Sequence, residues 1–170
     1  MTTPKRRLTV FKDDGASEEF PRPPWQWIGF GAVAIFTVWL PLAYPATMIA
    51  GRVLAVYAQG ATPEEVARSL ASAPPGEILK LEIAVRLLLA LPLAIAAFAG
   101  GYLVGRWGRN VGVREAALAG LTTGLVTCAL SWARVGFSWA PIAGIALAAP
   151  MAAWGGAAGL RTLRSRGGGA

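Results

Sequence analysis

Four stretches of this 170-residue chain carry no charged side chain, and no other feature narrows its fold so far. Between Arg22 and Arg52 lie 29 uncharged residues, and between Arg86 and Arg106 lie 19. Between Glu115 and Arg134 lie 18, and between Arg134 and Arg161 lie 26. A helix needs about 20 mainly apolar residues to cross the hydrocarbon core of a bilayer. No water is available there for loose backbone groups, so such stretches cross as helices. The sequence therefore predicts an all-α, polytopic transmembrane bundle of four helices. Spans are expected over 27–51, 81–105, 114–133 and 140–160, within a membrane domain at 25–160. A polar tail, 1–24, precedes it, and a basic, Gly-rich tail, 161–170, follows.

The charge balance agrees. Charged residues make up 15% of the chain, where a soluble domain would carry about 25%. Those present cluster between the apolar stretches. The net charge of +7 is accounted for by membrane topology and calls for no nucleic-acid partner. There is no His and a single Cys, Cys128, which excludes an intrachain disulfide and any zinc or haem site built from His or Cys clusters. Cys128, between Thr127 and Ala129, reads as a small packing residue. No cofactor is expected.

The N-terminus does not read as a signal peptide, because Asp13, Asp14, Glu18 and Glu19 precede any apolar run. Lys5-Arg6-Arg7 reads as a cytoplasmic anchor. Pro21-Arg22-Pro23-Pro24 keeps the backbone extended, and Trp25 and Trp27 mark the interface. Pro41 and Pro45 fall inside the first span, Pro92 in the second, and Pro141 and Pro150 in the fourth. Each lacks a backbone donor and is expected to kink its helix. The first span is expected to tilt or bend near Pro41 and to run on toward Tyr57.

The loop at 58–80 contains a helix start. Thr62 can cap, Pro63 fits the first helical position and Glu65 completes a capping box. Val66 and Leu70 then share a face, so a short surface helix is predicted, ended by Pro74-Pro75-Gly76. Glu82 and Arg86 are one turn apart and can pair. The short segment from Arg106 to Gly112 makes the second and third spans an antiparallel hairpin.

Counting basic residues orients the bundle. Lys5, Arg6, Arg7, Lys12, Arg22, Arg106, Arg109, Arg114, Arg161, Arg164 and Arg166 would share one side, and Arg52, Arg68, Lys80, Arg86 and Arg134 the other. Both termini are therefore expected in the cytoplasm. The arginines Arg106, Arg109 and Arg114, with Trp107, are candidates for contact with anionic lipid headgroups or with a partner.

Helices in lipid associate where small residues let their backbones approach. Gly101 and Gly105, Gly120 and Gly124, and Gly155 and Gly159 are such pairs, one in each of the last three spans. They predict tight packing, or a docking face for another membrane protein or a second copy. Thr122, Thr123 and Thr127 can bond to carbonyls or across helices. Gly100-Gly101 precedes Arg106 by the same offset as Gly155-Gly156 precedes Arg161, an echo that chance or a duplicated hairpin would explain.

The segment Gly100-Gly101-Tyr102-Leu103-Val104-Gly105-Arg106, its short loop and the small-residue-rich third span resemble small four-helix bacterial inner-membrane proteins of unknown function. The resemblance covers residues 97–130 and implies a style of packing without an activity. The bacterial inner membrane is the expected location. Small four-helix multidrug exporters have a comparable size, but their membrane-embedded glutamate in the first helix is missing.

The central parts of the spans hold no ionisable group to move a proton or coordinate an ion. The acid–base pairs and metal ligands of a membrane enzyme are missing as well. The expectation is a non-catalytic accessory or scaffold component of a membrane complex. The alternative is a small oligomeric channel, holin-like pore or transporter, for which broken helices at the prolines would line the path.

Overall fold

A computed structural model describes residues 23–59, 62–108, 112–137 and 139–167. The basic N-terminal cluster, Arg109 and residues 168–170 lie outside the described residues. The described chain is helical throughout: α1 (Pro24–Ala58), α2 (Pro63–Ser72), α3 (Pro75–Trp107), α4 (Val113–Val135) and α5 (Ala140–Gly167). All but α2 are long and apolar enough to cross a membrane, which makes this a multi-pass membrane protein.

α1 is one continuous helix. Pro41 and Pro45 stand inside it, and Pro92 and Pro150 stand inside α3 and α5 without ending them. Pro141 is different. It occupies the first turn of α5, where no preceding helical carbonyl loses a donor, so the kink expected there has no physical cause. Pro74-Pro75-Gly76 also acts otherwise than expected. α2 ends at Ser72, and Pro75 opens α3, its fixed φ suited to the first helical position. α3 therefore begins well before the apolar stretch and carries Glu77, Lys80 and Glu82 as helical residues.

Both ends of α2 follow local rules. The Thr62 N–H donates to Glu65 Oε2 at 3.0 Å, and the Glu65 N–H donates to Thr62 Oγ1 at 3.3 Å. Val66 and Leu70 are half-buried, and no residue of α2 is fully buried. At the start of α4 the Gly112 N–H donates to Glu115 Oε2 at 2.7 Å, placing an acid on the positive end of that helix.

α1 and α3 run antiparallel, with Ile35 against Gly100 and Tyr57 bonded to Glu77. That register puts Pro92 between the heights of Pro41 and Pro45, Arg86 beside Met48, and Arg106 beside Ile28. Arg86 and Arg106 are 20 positions apart, as are Arg114 and Arg134. At about 1.5 Å per residue each interval covers about 30 Å, the thickness of the hydrocarbon core. α1 and α3, with 35 and 33 residues, exceed this and project past it together at the Tyr57 end. The Tyr57 hydroxyl donates to Glu77 Oε2 at 2.8 Å and ties the two projecting ends. Arg86 and Glu82 form an ion pair one turn apart at the base of this projection.

The core is built from small residues. Ala96, Ala97, Ala116, Ala119, Ala148 and Ala152 are fully buried, and the largest fully buried side chains among the described residues are Ile35, Val104 and Thr123. Apolar burial gives helices little drive to associate in lipid, so close backbone approach and dispersion must hold them. The closest approach is between α3 and α5. A methyl group on Gly101 would collide with the Ala152 carbonyl, and one on Gly105 with the Gly156 carbonyl. Reciprocally, Gly155 abuts the Phe98 carbonyl and Gly159 the Tyr102 carbonyl. If Gly101 is matched to Gly155 and Gly105 to Gly159, every one of these contacts maps onto its mate. Two parallel helices therefore meet about a local two-fold. The glycine echo seen in the sequence belongs to this interface, with the matching residues shifted by one from the doublet-to-arginine alignment.

Candidate functional site

At the end of the bundle where α1 begins and α3 ends, four side chains line an open notch of about 280 Å³: Gln26, Trp27, Phe30 and Trp107. Its construction follows from helix geometry. Trp27, Gly31 and Ile35 lie at successive i, i+4 positions, so Trp27 falls on the face of α1 that packs inward, against Val104 and Ala116. Phe30 stands on the neighbouring edge of that face. Trp107 is the last residue of α3, brought beside Phe30 by the antiparallel register. The Trp27 and Phe30 rings meet edge to face, with centroids 5.9 Å apart and planes at 82°. Phe30 and Trp107 are 6.0 Å apart and tilted by 52°. Trp107 remains 55% exposed, so the notch opens outward.

Among the predicted contact residues, Trp107 lines the notch and Arg106 precedes it. Arg106 Nη1 donates to the Tyr102 hydroxyl oxygen at 3.0 Å, which holds the half-buried guanidinium along α3. Arg114, on α4, is exposed, and so is Arg161 on α5. These arginines share one end of the bundle but come from different helices and do not converge into one described cluster.

The predicted packing glycines all face neighbours inside the chain. Besides the α3–α5 contacts, a methyl group on Gly120 would lie 2.6 Å from the Ala148 carbonyl oxygen, and one on Gly124 2.9 Å from Ile145. None of these pairs is therefore left as a free docking face. The threonines likewise serve their own helix. Thr122, Thr123 and Thr127 each donate to the carbonyl four residues back, at 2.8–2.9 Å, and none bonds across to another helix. Thr123, the one buried polar side chain among the described residues, is thereby satisfied.

Among the described residues, no three of His, Cys, Asp and Glu stand together in a way that could hold a metal ion. Cys128 is buried in α4. Sequence reasoning missed Gln26 and Phe30 as notch residues, Tyr102 as the partner of Arg106, and the Tyr57–Glu77 bond. The Trp27-Gly31-Ile35 spacing carried a signal for the first of these, since it orients α1 about its axis. The others depend on which residues of distant helices share a height. The chain matches no family model, no curated protein and no solved structure.

Proposed function

We propose that this chain is a non-catalytic integral membrane component, an accessory or scaffold subunit of a larger assembly, residing in a bacterial inner membrane with both termini in the cytoplasm. The observation that carries this reading is the close packing of the helices through small residues. Glycines and alanines of α3, α4 and α5 bring backbones into direct contact, and the buried Thr123 hydroxyl donates within its own helix. Among the described residues, no buried side-chain nitrogen or oxygen lacks a hydrogen-bond partner.

A partner, on this reading, meets the outward face of α1. Gly29, Val33, Thr37, Leu40, Tyr44 and Met48 recur there at helical spacing and are all exposed. A methyl group on Gly29 would meet nothing within 4 Å, so another backbone could approach closely at that point. Extraction of the tagged chain in mild detergent should return a second protein at fixed stoichiometry. Gly29→Val together with Val33→Trp should abolish that ratio while the melting temperature stays unchanged. Recovery of the chain alone, as a defined homo-oligomer, would contradict the accessory role and favour the pore or transporter. Sidedness has its own test. Reporter fusions after Arg166 should read as cytoplasmic and fusions between Pro63 and Ser72 as external, and a cytoplasmic signal from the second site would overturn the orientation.

A further inference from the structure

We propose that the Gln26–Trp27–Phe30–Trp107 notch seats the ammonium group of a zwitterionic phospholipid headgroup. This rests on the membrane reading above and adds a lipid selectivity that the arginines alone do not supply. Depth is the first argument. Trp107 directly follows Arg106, the residue that closes the 30 Å interval begun at Arg86, so the notch opens at headgroup level, where indole rings prefer to lie.

Chemistry is the second argument. Aromatic rings at two different inclinations border the space, and among the described residues no charged side chain lines it. Ring faces carry the negative part of the aromatic quadrupole and attract cations, most strongly where water is partly excluded. α3 ends at Trp107 and α1 begins at Pro24, so opposite helix-dipole ends offset each other here and the rings decide the sign of charge that is favoured. Gln26 adds a neutral amide whose oxygen can accept from an ammonium N–H and whose nitrogen can donate to a phosphate. A carboxylate or phosphate placed inside would meet the negative ring faces, which disfavour it. The notch volume of about 280 Å³ is at the lower edge of the ~300–1,000 Å³ common for ligand sites, a headgroup's scale. The headgroup phosphate would then lie outside the rings, on the side of the molecule that carries Arg106, Arg114 and Arg161.

The test is a lipid competition on the full chain, read by native mass spectrometry. The protein, in mild detergent, is offered phosphatidylethanolamine and phosphatidylglycerol of matched acyl chains in equal amounts. Wild type should retain one phosphatidylethanolamine roughly threefold to tenfold over phosphatidylglycerol. Phe30→Leu and Trp107→Leu should bring that ratio to parity, while Arg106→Gln should weaken retention of both lipids and leave the ratio in place. Parity in wild type, or a preference that survives loss of the rings, would overturn the proposal. Should the ring variants fail to fold, wild type offered phosphatidylcholine against phosphatidylglycerol decides alone. Preference for the quaternary ammonium upholds the aromatic seat, and parity overturns it. Failure of the membrane reading itself would be distinguishable, because the chain would then be released from membranes by alkaline carbonate.

Discussion

Gly101 and Gly29 are both helical glycines, yet their surroundings give them opposite tolerances. Gly101 lies against the Ala152 backbone, which cannot move aside as a side-chain tip could, whereas Gly29 faces open space. Gly101→Val should therefore destabilise the bundle by about 1–3 kcal/mol, the usual range for overpacking, or prevent its assembly. Gly29→Val should stay within about 0.5 kcal/mol of wild type, as surface changes do. Thermal melts of the detergent-solubilised variants compare the two directly, and equal losses would refute the α3–α5 contact. Tyr57 offers a different handle. Its hydrogen bond to Glu77, with lesser contributions from burial and from the negative charge of Glu77, raises its phenol above the ordinary value of 10.0. A raised acid favours the protonated form in the fold. The contribution of this tie is thus full below pH 10 and is lost as pH climbs through the raised value. Ultraviolet titration of phenolate should show a late-ionising tyrosine that disappears in Tyr57→Phe and ionises earlier in Glu77→Gln.

The individual helices show where sequence patterns sufficed and where they failed. The uncharged stretches were enough to find α1, α3, α4 and α5, because a charge inside hydrocarbon is costly and its absence over about 20 residues is a physical signature. Helix ends were harder. Pro75 was read as a stop and is a start, since proline breaks a helix interior but suits its first turn, and the sequence alone does not say which side of a boundary it occupies. The first helix does run on through Pro41 and Pro45 past Tyr57, as its long uncharged stretch predicts, because a missing donor weakens a helix by one bond while the bilayer penalises any broken segment far more. α2 was legible from its capping box and depends on it, having no buried residue to hold it otherwise. Thr62→Ala should destabilise α2 locally by about 1 kcal/mol. Hydrogen exchange should quicken for amides between Val66 and Ser72 and remain unchanged in α4 and α5. Uniform acceleration along the chain would mean that α2 is coupled to the bundle, contrary to its exposure.

As an assembled molecule, the protein is a bundle whose paired glycines in α3, α4 and α5 are spent on one another. The glycine pairs were visible in the sequence, but their partners were not: whether a small-residue face packs inward or awaits another protein depends on how each helix is rotated, and spacing within one helix does not reveal this. The notch was hidden for a similar reason, since Trp27 and Phe30 meet Trp107 only through the antiparallel register of α1 and α3. If the chain is the accessory component proposed above, it conducts nothing. Purified protein reconstituted into liposomes loaded with potassium and a small fluorescent dye should release both no faster than protein-free vesicles, with or without an imposed potential. Release that scales with the amount of protein would contradict the accessory reading and make the pore or transporter the correct one.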